Sequence, residues 1–176
     1  EFNRAYLVNG TYADGSQAAL VMAAYIEAPP TPAIANATFN ALLAAIAANG
    51  GRLNTGILTT KWLMELLSRR GRSDVALSLV LSKEFPSWGY MLAQGATTIW
   101  EHCATAGLEP HPQPCDRRPD AALIAAPLGT GNAYDNPSGP AMNSHNHPAL
   151  SSVGAWLYRW LAGIRLGGYG TGYQEV

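Results

Sequence analysis

A succession of helix-forming segments, separated by short stops, most strongly limits the folds that this chain can adopt. Ser16, Thr31-Pro32 and Ser73 are typical helix-start residues, and each precedes an apolar run with helical spacing. Pro29-Pro30 and Asn49-Gly50-Gly51 end two of these runs, because such residues do not continue a helix well. The helices predicted in this way cover residues 17–27, 32–48, 59–70, 74–82 and 150–164. Their short connections favour helix hairpins and an all-α fold.

The segments outside these helices lack helical spacing. Residues 2–14 contain two turn dipeptides and are predicted to be irregular, and residues 52–58 form a short link. Residues 86–101 carry two tryptophans, a tyrosine and one carboxylate, and this stretch is not predicted to be a helix. Residues 109–148 hold most of the prolines and show no apolar period, which predicts a long loop or insertion.

The charge content limits the partners that the chain can have. The net charge is -1, which gives no electrostatic reason to expect nucleic acid or an anionic membrane as a partner. No apolar run reaches the length of a membrane-spanning helix. Only 13% of the residues are charged, which is low for an independent domain and suggests that part of the surface is covered by something else. The start at Glu1 without Met suggests a piece of a longer protein.

The cysteines and glycosylation patterns leave the compartment open. Cys103 and Cys115 could form a local disulfide or stay as two free thiols. Asn9-Gly10-Thr11 and Asn36-Ala37-Thr38 fit the N-glycosylation pattern, which would suit a secreted protein. Patterns this short also arise by chance, so the localisation stays unknown.

The sequence does not predict a metal, a cofactor or a serine nucleophile. The glycines of residues 167–172 are not followed by a helix or by the Lys-Ser/Thr pair of a phosphate-binding loop. His145 and His147 are close in sequence, but no third ligand stands at a recognisable zinc spacing. The Gly-x-Ser-x-Gly pattern of serine hydrolases is absent from the sequence.

Glu101 is the acidic residue with the most suggestive surroundings. It directly follows Trp100 at the end of a run that reads as extended and half-buried. Burial there would raise the pKa of the carboxyl group and suit it to move a proton near neutral pH. Aromatic faces beside a carboxylate fit a carbohydrate site, since the apolar face of a sugar stacks on Trp or Tyr. The alternative is a buried aromatic turn with a solvated Glu, and the residues alone leave both interpretations open.

Several motifs in a fixed order resemble one family of enzymes. The motifs are Asn54-Thr55-Gly56-Ile57-Leu58, Pro86-Ser87-Trp88-Gly89-Tyr90-Met91, Gly95-Ala96-Thr97-Thr98-Ile99-Trp100-Glu101, Ser144-His145-Asn146-His147 and Ala155-Trp156-Leu157-Tyr158-Arg159-Trp160-Leu161-Ala162-Gly163-Ile164. Together they are similar to the C-terminal half of the catalytic domain of bacterial-type α-L-rhamnosidases, glycoside hydrolase family 78. The resemblance covers nearly the whole chain except a stretch from about residue 103 to residue 142.

This resemblance implies a fold and a division of the chain. The family's catalytic domain is an (α/α)6 toroid, so residues 1–165 are expected to form a partial toroid of helix hairpins. Residues 103–142 would be a long irregular insertion, and residues 166–176 a linker or the start of another domain. The upstream half of the same catalytic domain is then an expected partner, because half of a toroid cannot close a ring.

The resemblance also implies a reaction and its residues. The family hydrolyses terminal α-L-rhamnosides with inversion, which needs one general acid and one general base. It implies that Glu101 is the general base and that His147 binds rhamnose hydroxyls, with Trp88 and Trp100 also lining the sugar. The substrate would be a rhamnose-containing glycoside. The general acid would lie upstream, so the chain alone is expected to be inactive.

Other interpretations are open for these residues. His147 could cap the helix that it precedes, and Trp88 could simply pack in the core. At the level of function, the alternatives are a non-catalytic or degenerate carbohydrate-binding relative and a helical scaffold without a sugar site. A sugar site requires Trp88, Glu101 and His147 to line one cleft. The sequence does not give the aglycone, the linkage or the oligomeric state.

Overall fold

The computed structural model describes residues 1–8, 10–84, 86–93, 95–100 and 146–164 of the 176-residue chain. Most of these residues are helical, which confirms the all-α prediction. The helices are α1 (Phe2–Tyr6), α2 (Gln17–Tyr25), α3 (Pro32–Ala48), α4 (Gly56–Arg69), α5 (Ser73–Leu81), α6 (Trp88–Ala93) and α7 (Ser152–Trp156), which continues as a π-helical segment (Leu157–Leu161). Strands β1 (Leu7–Val8) and β2 (Thr11–Tyr12) form an antiparallel pair in which Leu7 faces Tyr12.

Two helix starts agree closely with their capping residues. Ser16 Oγ accepts a hydrogen bond from the Ala19 amide at 3.3 Å, so α2 begins at Gln17. Thr31 Oγ1 accepts from the Ile34 amide at 3.3 Å, and Pro32 occupies the first turn of α3. Each cap satisfies a backbone N–H that has no partner inside its own helix.

The predictions were wrong at the beginning of the chain and at the start of α4. Residues 2–14 contain α1 and the β1–β2 pair, and the Tyr12 hydroxyl donates to Asn3 Oδ1 at 2.7 Å, which joins β2 to α1. Helix α4 begins at Gly56 rather than at residue 59 or 60. Thr59 and Thr60 do not cap it, since their hydroxyls donate backwards to the carbonyls of Thr55 and Gly56.

The helices pack as connected pairs around one core. Helix α3 packs against α2 and α5 against α4, while α2 and α7 both contact α4. Helix α6 contacts α5. Among the most deeply buried aliphatic side chains of this core are Leu20, Val21, Leu42, Leu53, Leu63, Leu67, Leu79 and Leu150. No helix in the part of the chain that the structure describes is long and apolar enough to cross a membrane.

A buried glutamine fixes the segment that leads into α4. Gln17 is 2% exposed, and its Nε2 donates to the Arg52 carbonyl at 3.1 Å. Its Oε1 accepts from the Asn54 amide at 2.9 Å. The side chain therefore satisfies backbone groups on both sides of Leu53, which is itself 1% exposed. These two hydrogen bonds of Gln17 place Asn54 and the following turn at the beginning of α4.

Candidate active site

The aromatic segment that begins at Pro86 forms a short helix, although the sequence did not predict one. Ser87 Oγ accepts from the Tyr90 amide at 2.9 Å and donates to the Ser82 carbonyl, so it caps α6 and ties it to the end of α5. Gly89 allows the close approach. A Cβ at this position would lie 2.9 Å from the Leu81 carbonyl oxygen and closer still to that of Ser82.

Trp88 joins α6 to the segment before α7. Its ring is 5% exposed, and Nε1 donates to the Leu150 carbonyl at 3.1 Å across 62 residues of sequence. Buried indole N–H groups need such an acceptor, and this one fixes how the two segments approach. Trp88 thus packs in the core and holds the segment before α7 against α6.

Trp100 lies next to Met91 of α6. It is 6% exposed, and its backbone amide donates to the Met91 sulfur at 3.4 Å. The Ala96 amide donates to the Met91 carbonyl at 3.0 Å. Residues 95–100 therefore fold back over α6, with Met91 held between the two.

His147 lies next to this returning segment. Its amide donates to the Ile99 carbonyl at 2.8 Å, and its carbonyl accepts from Ser151 Oγ at 3.3 Å. The side chain is half-buried. Helix α7 has Ser151 at its N-cap position, so His147 does not occupy the cap of that helix.

The structure thus brings Trp88, Trp100 and His147 into one cluster of short segments. Glu101, Cys103, Cys115 and the predicted insertion at about 103–142 lie outside the described residues. Since Ile99 precedes Glu101 by two residues, the His147–Ile99 hydrogen bond brings the histidine segment beside the segment that leads into the predicted base. Among the residues that the structure describes, no group of three or more His, Cys, Asp or Glu side chains could hold a metal ion.

The sequence interpretation missed the hydrogen-bond acceptors that hold the cluster together. The Leu150 and Ile99 carbonyls and the Met91 sulfur accept the hydrogen bonds that join its segments. Backbone acceptors carry no signature of their own in a sequence. The Ser-Trp-Gly order was the available signal, because a capping residue and a glycine around one tryptophan indicate a tightly packed helix start.

A mostly helical chain whose helices pack in connected pairs fits a six-hairpin glycosidase domain, and the comparisons with known proteins agree. Residues 1–161 match the family described as bacterial alpha-L-rhamnosidase 6 hairpin glycosidase domain. The chain belongs to this family. It is 33% identical over 176 residues to an alpha-L-rhamnosidase of Streptomyces avermitilis, covering 99% of this chain and 14% of that protein.

Solved structures of relatives show the same fold. The alpha-L-rhamnosidase from Dictyoglumus thermophilum superposes with a TM-score of 0.68 at 29% identity, covering 94% of this chain and 15% of that one. The enzyme from Aspergillus terreus gives a TM-score of 0.66 at 28% identity, covering 89% of this chain and 15% of that one. The chain therefore corresponds to a small part of each of these relatives.

Proposed function

We propose that this chain contributes to the active site of an α-L-rhamnosidase that hydrolyses terminal α-L-rhamnosides with inversion. The observation that carries the proposal is the hydrogen bond between the His147 amide and the Ile99 carbonyl. It joins the segment of the predicted sugar-binding histidine to the segment that leads into Glu101. The names of the relatives, all alpha-L-rhamnosidases, supply the substrate class.

In the proposed mechanism Glu101 is the general base. Its carboxylate takes a proton from a water molecule as the water oxygen attacks the anomeric carbon of rhamnose. A carboxylic acid on the opposite face of the sugar gives its proton to the glycosidic oxygen as the bond to the aglycone breaks. His147 hydrogen-bonds to rhamnose hydroxyls. The water oxygen ends on the face opposite the departing group, so the product has the inverted configuration.

Trp88 and Trp100 have a supporting role in this proposal. Their exposed fractions, 5% and 6%, leave little ring surface open in the described chain. We therefore assign them to the apolar wall behind the sugar, where Trp88 holds the Leu150 end of the histidine segment. Such a wall excludes water and strengthens the hydrogen bonds that the histidine makes with the substrate.

The rest of the enzyme is needed to complete the site. The chain spans only 14% of the length of the Streptomyces relative. Leu58, Leu81 and Leu92 are exposed by 74%, 64% and 73%, which suits surfaces that another part of the protein covers. We propose that residues 1–165 form part of the toroid, that residues 166–176 form a linker, and that an upstream half supplies the general acid. The chain by itself would then be inactive.

The product of the first turnover tests the reaction. The full-length protein is mixed with an aryl α-L-rhamnoside, and proton NMR follows the anomeric signal before mutarotation. We expect β-L-rhamnose to appear first, with no hydrolysis of the matched aryl β-D-glucoside. Initial formation of the α anomer would refute inversion. Rhamnoside binding without any hydrolysis would instead identify a non-catalytic carbohydrate-binding relative.

A further inference from the structure

A second candidate site lies away from the Trp88, Trp100 and His147 cluster. It is a pocket of about 200 Å³ between the C-terminal end of α2, the middle of α4, and α7 with its π-helical continuation. None of the three cluster residues lines it. Ligand pockets for drug-sized molecules measure about 300–1,000 Å³, so this pocket suits a smaller ligand such as one sugar ring.

The charged groups around the pocket favour an anion. Lys61 and Arg159 both line it, and within the described part of the chain neither forms an ion pair. Glu65 also lines it, but the Arg69 guanidinium engages this carboxylate at 2.7 Å. Because Glu65 is already paired with Arg69, Lys61 and Arg159 are two cations of the pocket that have no carboxylate partner among the described residues. A ligand carboxylate would complete charge-assisted hydrogen bonds to them.

Aromatic rings form the walls and hold one of these cations in place. Tyr25 and Trp62 stack with centroids 5.2 Å apart and planes inclined by 20°. Lys61 Nζ lies 5.3 Å from the Trp62 ring centroid, within the range of a cation–π contact. The ammonium group is therefore held by Trp62, one of the rings that give the pocket its apolar surface.

The wall that α7 forms is fixed in place, and it contains a hydroxyl group that can still form a hydrogen bond. Trp156 Nε1 donates to Ser68 Oγ at 2.8 Å, which fixes α7 against α4. Among the residues that the structure describes, the Ser152 hydroxyl is buried without a hydrogen-bond partner, and Ser152 lines the pocket. Arg159 comes from the π-helical segment, and π-helical turns occur frequently at functional sites.

We propose that this pocket binds a uronic acid unit of a glycan, that is, a sugar ring that carries one carboxylate. Lys61 and Arg159 hold the carboxylate, while the aromatic walls and the Ser152 hydroxyl accommodate the ring and its hydroxyls. The choice of a sugar rests on the proposed rhamnosidase function, whereas the preference for an anion rests on the pocket alone. The site would let the enzyme hold an acidic glycan at a point separate from the bond that it cleaves.

Calorimetric titration of the full-length protein tests the proposal. D-glucuronate is compared with methyl β-D-glucoside, which has the ring without the charge, and with acetate, which has the charge without the ring. Excess L-rhamnose keeps the predicted rhamnose site occupied. The double variant Lys61→Met/Arg159→Gln removes both cations. Arg72→Gln is the matched control, because Arg72 is paired with Asp74 and does not line the pocket.

The proposal expects saturable glucuronate binding that the double variant weakens by about tenfold or more, while the control binds like the wild type. Thermal unfolding of the double variant should match that of the wild type, since both side chains are exposed. Equal binding by the double variant, equal binding of acetate or the glucoside, or no saturable binding would each overturn the site. Hydrolysis of the aryl rhamnoside is measured separately, so the proposed function stands or fails independently.

Discussion

Replacement of Trp88 by Phe isolates the contact that ties α6 to the histidine segment. Phe keeps an aromatic ring but has no N–H to donate to the Leu150 carbonyl, now bound at 3.1 Å. That carbonyl also accepts from the Val153 amide at 3.3 Å, so it keeps one partner. Loss of the hydrogen bond then lowers the stability of the folded segment by about 1 kcal/mol. The smaller ring in a well-packed site lowers it by about 1 kcal/mol more.

A loss of about 2 kcal/mol corresponds to about a 30-fold rise in local opening of the segment. The assay is hydrogen exchange of the full-length protein, measured by mass spectrometry on peptides that contain residues 146–150. We expect faster exchange of the His147 amide, which donates to Ile99, and a lower kcat/KM for the aryl rhamnoside. The physical reason is that the histidine segment loses one of its anchors.

Trp156→Phe is the matched control for this experiment. It also removes a buried indole N–H donor, but from the bond to Ser68 at the C-terminal end of α4. If Trp156→Phe loses about as much stability as Trp88→Phe, its hydrogen exchange should increase mainly around Ser68. The increase at His147 should be smaller than in Trp88→Phe. Unchanged exchange protection of the His147 amide in Trp88→Phe would refute the claim that the Trp88–Leu150 hydrogen bond holds the histidine segment.

Further predictions concern the groups that hold the surrounding fold. Gln17→Met should lower the free energy of unfolding by about 1–3 kcal/mol in urea denaturation, because the Asn54 amide loses its acceptor. Gly89→Ala should cost about 1–3 kcal/mol in the same assay, because its Cβ would clash with the Ser82 carbonyl. Hydrogen bonds from backbone amides lower the pKa of Asp14, so this carboxylate stabilises the fold above pH ~4. The stability difference between Asp14→Asn and the wild type should therefore shrink as the pH falls through the folded-state pKa.

Each of these predictions has a control or a contradicting result. Asn49→Ala should cost less than Gln17→Met, since the Arg52 carbonyl keeps its bond from Gln17. Gly154→Ala should be tolerated, because nothing lies within 4 Å of the added Cβ. Equal losses of unfolding free energy in Gln17→Met and Asn49→Ala, or in Gly89→Ala and Gly154→Ala, would contradict the assigned contacts. For Asp14→Asn, a difference that persists unchanged at pH 2 would contradict the role of its ionised form.

Local sequence determined the elements that depend on neighbouring residues. Ser16 and Thr31 cap their helices through bonds that span three residues, so the starts of α2 and α3 could be predicted. Helix α6 has a cap of the same local kind at Ser87, but its six residues are too few to show helical spacing, and its position also depends on contacts outside the helix. Ser87 reaches back to Ser82, and Trp88 needs a carbonyl 62 residues away.

The same distinction applies to the candidate sites. The motifs around Trp88, Trp100 and His147 were visible in the sequence as a resemblance, and the structure groups them. Gln17 was read as an ordinary helix residue, since nothing nearby in sequence shows that it is buried against Arg52 and Asn54. The second pocket was not predicted, because Lys61 and Arg159 lie nearly 100 residues apart and belong to helix faces that the sequence marks only as polar.

Turnover of Glu101→Gln in the full-length protein tests the central claim most directly. Gln keeps the size of the side chain but cannot take a proton from water, and general bases contribute about 10²–10⁴-fold to such reactions. We predict that kcat for an aryl α-L-rhamnoside falls at least about a hundredfold, with unfolding unchanged and Glu84→Gln behaving like the wild type. A kcat for Glu101→Gln close to that of the wild type would contradict the assignment of Glu101 as the general base.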